Sequence, residues 1–500
     1  MERQTKFNER AGNRSYLWLM LAMIIFIFSN GRWAFAVAAW VGPVLLLRFV
    51  RLQKPLIGYV VSVLVLMITT SISWLGVMSL PLPIFILSNL IGGLFLALPY
   101  LADRLAVRRL QGFVSTLLFP AAMTSLAYVM SFIPDRGTWG EIVYTQYGIL
   151  PLMQLSSITG IYGITFLIFW FASTVNYCWE NDFAPHKIKK AAGIYLCVLL
   201  AVFLYGGARL VFIKPTETNV RVAAITTPSD IRGRATGWIT SGQSPFHLQE
   251  SLALLESQTS DTVRSGAKIV AWQEYGDLIS TADRDAFITH ARKIAADHKI
   301  YLLISMAVMD MTGTEKGENV SIFIDPAGNI QWKYLKSYLV PGIEKPYFKE
   351  GDKIIPVLRT PYGKMASVIC FDFDFPAYVR SAGRDISLFL VPSFDWKEIT
   401  PLHSHMAVFR AVENGFSLVR PVGEGFSIAV DSCGRVIASQ NYATSKERVM
   451  LADVPVQSVF TIYSVIGDLF AWLCVIGLII LIVTAVIRRK QKSSNTKEAV

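Results

Sequence analysis

A thiol, a carboxylate and an amine each stand just after an apolar, strand-forming run in this chain. Cys370 follows Lys364 to Ile369, Glu274 follows Ile269-Val270-Ala271-Trp272-Gln273, and Lys336 follows Ile330 to Tyr334. Strand ends are where open α/β sheets form their ligand crevice, so a fold that gathers these three ends would build one site. There the thiol could act as nucleophile and the carboxylate could take its proton. The ammonium could stabilise a tetrahedral oxyanion. A free thiol of pKa ~8.5 is only a few per cent ionised at neutral pH, so both helpers matter, and the triad predicts a partly ionised Cys370. The competing reading is a passive, buried strand-end cysteine.

The elements that would position these residues lie between Lys214 and Tyr463, about 250 residues and enough for one α/β domain. Strand patterns cover Asn219 to Thr226, Ala267 to Trp272, Ile300 to Val308, Val320 to Ile324 and Ile330 to Tyr334. They resume at Lys364 to Ile369, Ser387 to Val391, Ser417 to Pro421, Phe426 to Val430, Arg435 to Ser439 and Val449 to Asp453. Helical periodicity marks Leu248 to Arg264, Ala282 to Asp297 and His405 to Asn414. Asp325-Pro326-Ala327-Gly328 and Asp431-Ser432-Cys433-Gly434 read as hairpin turns. The alternation predicts an α/β sandwich with sheet buried between helices.

The rest of the chain is apolar. With 53% hydrophobic residues and mean hydropathy +0.44, the composition indicates a membrane protein with a large polar portion. Apolar stretches run from Tyr16 to Ser29, Trp33 to Leu47, Leu56 to Leu80, Ile84 to Tyr100, Gly112 to Phe132, Leu155 to Cys178, Ala191 to Ile213 and Leu469 to Ile487. If all eight span and the N-terminus is cytoplasmic, inside segments hold 18 Lys and Arg residues, from Arg3 to Lys497, against Arg32 and Arg136 in the short outside loops. That asymmetry follows the positive-inside rule. The organisation expected is a seven-span domain at 1–213, an extracytoplasmic domain at 214–463, a last span at 464–487 and a basic cytoplasmic tail at 488–500. The first two stretches are short. Most of the +11 net charge flanks the spans, so it argues for membrane orientation and against a nucleic-acid partner.

Four motifs in chain order resemble the nitrilase (carbon–nitrogen hydrolase) superfamily. Trp272-Gln273-Glu274 is similar to its W-P-E motif, with Gln for Pro. Tyr334-Leu335-Lys336-Ser337-Tyr338 resembles the lysine motif, Ile369-Cys370-Phe371-Asp372-Phe373-Asp374-Phe375-Pro376 the cysteine motif, and Arg410-Ala411-Val412-Glu413-Asn414 the helix motif. The resemblance implies an α-β-β-α fold and a Glu274-Lys336-Cys370 triad. Within the superfamily, seven spans, an outer domain and a last span resemble the apolipoprotein N-acyltransferases. Val340-Pro341-Gly342-Ile343-Glu344, Asp395-Trp396, Thr461 to Asp468, and Gln154-Leu155 with Thr159 to Leu167 are similar to that family's motifs. This implies an acyltransferase of the bacterial inner membrane, with both termini cytoplasmic. A phospholipid would be acyl donor, and a lipoprotein N-terminal cysteine or other amine the acceptor. Glu344 would support the base, and no cofactor or metal is implied.

The family's usual Glu two residues after the cysteine is Asp372 here, as in amidase-type members. Its asparagine before D-x-W and its G-F-P-W signature are absent. A membrane-tethered amidase, in which water resolves the acyl-enzyme, is therefore the alternative. Trp238, Phe246 and Trp396 line an acyl chain's path or cover the core. His403 and His405 lack a third ligand at zinc-site spacing and read as structural or solvated. Cys433 reads as a passive turn thiol.

Overall fold

The computed structural model describes residues 2–78, 80–214, 218–227, 247–310 and 312–498. Trp238 and Phe246 lie outside them. The chain divides into two compact units, one formed by residues 1–210 with 466–500 and the other by 211–465.

Each of the eight apolar stretches overlaps a helix or helix group: α1 (Glu2–Ile27), α2 (Ala36–Leu52), α3 (Pro55–Ser73), α4 (Leu82–Leu96) with α5 (Leu98–Ala106), α6 (Leu118–Met130), α7 (Leu150–Met153) with α8 (Ser156–Thr159) and α9 (Tyr162–Glu180), α10 (Pro185–Phe212), and a terminal helix Leu469–Glu498. Among the described residues only five helices are long and apolar enough to cross a membrane, or six when a bent pair counts as one. The expected eight are therefore not all found, for identifiable reasons. The apolar part of α1 is only Ser15–Ile27. The 17 residues of α2 extend about 26 Å and carry Arg48 and Arg51. The sixth stretch is broken by a 116° bend between 150–159 and 162–180. Arg51 is buried and forms a two-pronged pair with Asp103, Nε to Oδ2 at 2.7 Å and a second guanidinium nitrogen to Oδ1 at 2.8 Å. This ties α2 to α5 without leaving a lone charge in an apolar interior.

The second unit contains two mixed sheets. The first has the order β15-β1-β2-β4-β5-β6, with β3 against β4. Its strands are β1 (Asn219–Ile225), β2 (Ile269–Trp272), β3 (Asp277–Ser280), β4 (Tyr301–Met309), β5 (Glu318–Ile324), β6 (Ile330–Leu335) and β15 (Val449–Pro455). The second has the order β14-β13-β11-β9-β8-β7, formed by β7 (Val357–Thr360), β8 (Gly363–Ser367), β9 (Ile386–Leu390), β11 (Ser417–Arg420), β13 (Phe426–Val430) and β14 (Val436–Asn441). A small parallel pair, β10 (Ser393–Phe394) and β12 (Val422–Gly423), lies apart from both.

Helix α11 (Leu248–Arg264) buries Ser251, Leu255, Thr259 and Thr262, a single face at helical spacing. Helix α12 (Arg284–His298) buries Phe287, Ala291, Ile294 and Ala295 in a core shared with Val270, Leu302, Ile304 and Ile322 of the first sheet. Helix α13 (Pro376–Arg380) follows the cysteine turn, and α14 (Leu402–Asn414) packs on β11 and β13. Gly415 ends α14 at φ +75°, and a Cβ there would lie 1.8 Å from the Val459 carbonyl oxygen, so only glycine fits. The α/β expectation is met. Strands β3, β7, β10 and β12 are additional to the sequence reading; each has two to four residues, too short for periodicity to register.

Candidate active site

The topology brings the ends of β2, β6 and β8 together. Glu274 follows β2, Lys336 follows β6, and Cys370 opens a 3-10 turn, Cys370–Asp374, just after β8. Lys336 Nζ donates to Glu274 Oε1 at 2.7 Å and to Glu344 Oε1 at 2.9 Å. All three side chains are buried. Glu344 also accepts the Val340 backbone N–H through Oε2 at 2.8 Å and the Tyr275 hydroxyl through Oε1. Asn319 Nδ2 donates to Glu274 Oε1 at 2.7 Å and Glu344 Oε1 at 3.2 Å. A single ammonium is thus held between two carboxylates whose other lone pairs are satisfied, the condition under which buried charge is tolerable.

Phe394 connects this group to the thiol. Its backbone N–H donates to Glu274 Oε2 at 2.9 Å, and its carbonyl oxygen lies 3.9 Å from Cys370 Sγ, which donates to it. Cys370 N–H bonds to the Pro392 carbonyl at 2.9 Å. The residue adopts φ +48°, a left-handed conformation that costs an L residue about 1–2 kcal/mol. Asp372 fixes the turn. It accepts from Tyr334 Oη at 2.7 Å, Ile369 N–H at 3.1 Å, Ser337 N–H at 3.1 Å and Tyr338 N–H at 2.7 Å.

Burial and charge set the protonation states. Burial would lower Lys336, but Glu274 and then Glu344 outweigh it and hold the ammonium well above its usual range. Burial raises Glu274, with Lys336 opposing and Glu344 reinforcing the rise, which makes Glu274 a stronger base than an exposed carboxylate. Burial and then Glu274 push the Cys370 thiol well above 9, against Lys336. Burial and the Glu274 charge therefore oppose the partial ionisation expected of Cys370, and Lys336 favours it. Asp372 is pushed up to about 7 by burial, with Tyr334 the largest opposing influence.

A second charged group flanks the thiol. His403 Nδ1 lies 2.8 Å from Asp395 Oδ1, and His403 Nε2 lies 3.2 Å from Asp374 Oδ1. Arg420 donates to Asp395 at 3.0 and 3.1 Å. Burial would lower His403, but Asp374 raises it, and the outcome is about 9. Burial would raise Asp395, yet Arg420 and His403 hold it well below the usual carboxylate range. His403 is thus a buried ionic residue, and the sequence reading placed no partners on it because Asp374 and Asp395 come from two separate loops that only the fold brings onto its ring. Cys370, Asp395 and His403 offer ligand atoms within 4.8 Å of one another, the one described group close enough to hold a metal ion. The Arg420 guanidinium in the same cluster already supplies positive charge to Asp395. His405 is pushed down to about 4 by burial.

Trp396 is half-buried beside Asp395 and begins the turn Lys397–Ile399. Sequence reasoning missed Tyr275 and Asn319. Tyr275 adjoins Glu274 in sequence, which is a usable signal; Asn319 opens an unremarkable strand and is identified only by the β5–β6 pairing that sets it beside Lys336. The Gln273 that replaces the motif proline bonds Thr227 Oγ1 at 2.9 Å through Nε2, joining the ends of β1 and β2. Cys433 is fully buried, and its backbone N–H donates to Asp431 Oδ1 at 2.9 Å.

A family model described as carbon–nitrogen hydrolase matches residues 221–462, and one described as the apolipoprotein N-acyltransferase N-terminal domain matches residues 17–174. The chain is 26% identical over 505 residues to an apolipoprotein N-acyltransferase of Geobacter metallireducens, covering 93% of this chain and 94% of that one. It is 24% identical over 353 residues to an apolipoprotein N-acyltransferase of Rickettsia prowazekii, covering 65% and 67%. A crystal structure of an amidase from Nesterenkonia sp. superposes with TM-score 0.40 at 23% identity, over 49% of this chain and 93% of that one. With the two family models following one another along the sequence, the chain is an apolipoprotein N-acyltransferase-like member of the carbon–nitrogen hydrolase superfamily.

Proposed function

We propose that this bacterial membrane protein is an N-acyltransferase that moves an acyl chain from a phospholipid, through a thioester on Cys370, to an amine. The observation that carries the reading is the buried Glu274–Lys336–Glu344 group, joined through Phe394 to a nucleophile-bearing turn. It stands in a chain whose other unit contains helices apolar enough to cross a bilayer.

Cys370 Sγ attacks the ester carbonyl carbon while its proton passes to Glu274. The oxyanion that forms is stabilised by Lys336. Collapse breaks the ester C–O bond, the leaving oxygen takes the proton from Glu274, and a lyso-lipid departs. The amine then attacks the thioester and gives its proton to Glu274. Collapse breaks the C–S bond, and the sulfur recovers the proton. Glu344 shares Lys336 with Glu274 and keeps the ammonium in place when Glu274 is protonated. Resemblance implies that the acceptor is the N-terminal cysteine of a lipoprotein; of the two readings of Trp238 and Trp396, the acyl-transfer reaction favours contact with the acyl chain over covering the core. The loop charges support an extracytoplasmic catalytic unit, 214–463, with both termini cytoplasmic.

The test is mass spectrometry of purified protein after incubation with phospholipid. An acyl thioester on Cys370 that persists until an amine is added supports transfer. Lyso-lipid and free fatty acid released without an amine assign the chain to hydrolysis, and neither adduct nor lyso-lipid refutes the transfer reading.

A further inference from the structure

Arg209 occupies the last turn of α10 and is only 8% exposed. Its Nε donates to Gln154 Oε1 at 3.1 Å, and Gln154 is itself fully buried. Its Nη2 is buried with no hydrogen-bond partner, and no carboxylate among the described residues pairs with it. A permanent cation within a membrane helix is costly and marks a functional position unless an anion compensates it. Arg51, in the same unit, shows the compensated case with Asp103.

The surroundings form a seam between α10 and the bent pair. One turn earlier, Tyr205 Oη lies 2.8 Å from Ser157 Oγ. Between these two rungs Gly206 packs so closely that a Cβ would lie 1.9 Å from the Pro151 carbonyl oxygen. The Ser156 hydroxyl is also buried without a partner. Outside the seam, Leu196 and Leu200 are 60% exposed and Leu204 is 64% exposed, an apolar surface open to lipid tails. The helix ends three residues beyond Arg209, the depth at which headgroup phosphates meet a spanning helix.

We propose that Arg209, held by Gln154 at the break in the bent span, anchors the phosphodiester of a membrane phospholipid. The bound lipid supplies the missing anion, with the Nη2 N–H groups and the Ser156 hydroxyl as donors and the tails along Leu204, Leu200 and Leu196, towards the start of the helix. That this lipid is the acyl donor rests on the acyl-transfer reading; the anchor itself does not.

The test uses full-length Cys370→Ala protein in detergent micelles, so that lipid is bound but not consumed. Native mass spectrometry compares phosphatidylglycerol with diacylglycerol of the same chains. A preference for the phospholipid of about tenfold or more is expected from charge-assisted hydrogen bonds; Arg209→Gln abolishes it, while Arg209→Lys keeps most of it. An undiminished preference in Arg209→Gln overturns the proposal. Displacement of the lipid by millimolar inorganic phosphate would assign the site to a free anion and overturn the lipid assignment. A phospholipid with a photoreactive group beside its phosphate, used on the protein with Arg209 intact, should label the segments 154–157 and 205–209. Labelling confined to other segments overturns the anchor even if Arg209→Gln does not fold. Absence of acyl transfer in the wild type would refute the proposed reaction and leave these binding results standing.

Discussion

The carboxylate of Asp372 accepts the backbone N–H of Tyr338 at 2.7 Å, so the turn that presents the thiol is bonded to the loop that follows the lysine. Together with Ser337 N–H, Ile369 N–H and Tyr334 Oη, this gives Asp372 four donors and no acceptor to satisfy. Asp372→Asn would turn an amide N–H₂ towards some of those donors. The expected loss is about 1–3 kcal/mol for each group left unsatisfied. It should be seen as a lower thermal unfolding midpoint together with slower thioester formation. A variant with wild-type stability and rate would show that the two loops are held by other contacts.

The fold and the three strand-end residues were legible because each depends on local pattern: an apolar run, then one functional side chain. Leu248–Arg264 was readable to the residue, since its buried positions recur at helical spacing. What resisted reading depends on tertiary pairing. Asn319 is significant only because β5 lies beside β6, which sets it against Glu274 and Glu344. The upward shift of the Cys370 thiol comes from enclosure and from the Glu274 charge, neither of which is a property of residues 364–376. Length was equally deceptive in the membrane unit, where a continuous apolar run, Leu155 to Cys178, contains a sharp bend.

The loop charges make sidedness testable. Cysteines introduced one at a time near Lys214 and near Arg488, in a background lacking exposed Cys197, should differ in reach of a membrane-impermeant thiol reagent. On intact cells the first should be labelled and the second only after permeabilisation. The opposite pattern would invert the proposed topology.

His403 links stability to pH with a definite sign. Its pKa in the folded chain is about 9, above the ordinary value of 6.5, because its carboxylate partners, Asp374 foremost, outweigh burial. A group raised in this way contributes its full stabilisation below about 6.5 and loses it as pH rises through about 9. The wild-type midpoint should therefore fall between these pH values, and His403→Gln should show a smaller fall over the same range. An unchanged pH slope in His403→Gln would show that its protonation is not linked to folding.

Glu274 and Lys336 act on Cys370 in opposite directions, and this separates the catalytic reading from a structural one. Glu274 raises the thiol's pKa and Lys336 lowers it, within a site whose burial already disfavours the thiolate. In Glu274→Gln the thiolate should form more readily, so alkylation of Cys370 by a small reagent should begin at lower pH than in the wild type. Acyl transfer in the same variant should fall by ~10²–10⁴-fold, the usual cost of losing a general base. In Lys336→Met, alkylation should need higher pH and acyl transfer should also fall. This variant should be the less stable of the two: Glu274→Gln leaves Lys336 paired with Glu344 at 2.9 Å, whereas Lys336→Met leaves two buried carboxylates without their cation. Stranding a buried charge costs about 3–5 kcal/mol, which protonation of one carboxylate would partly relieve. Cys433, fully buried, should not react under these conditions, and in a background lacking exposed Cys197 the Cys370→Ala variant should lose both labelling and transfer. If alkylation and transfer instead fell together in Glu274→Gln, Glu274 would be holding the site's shape, and its role as the base would have to be abandoned.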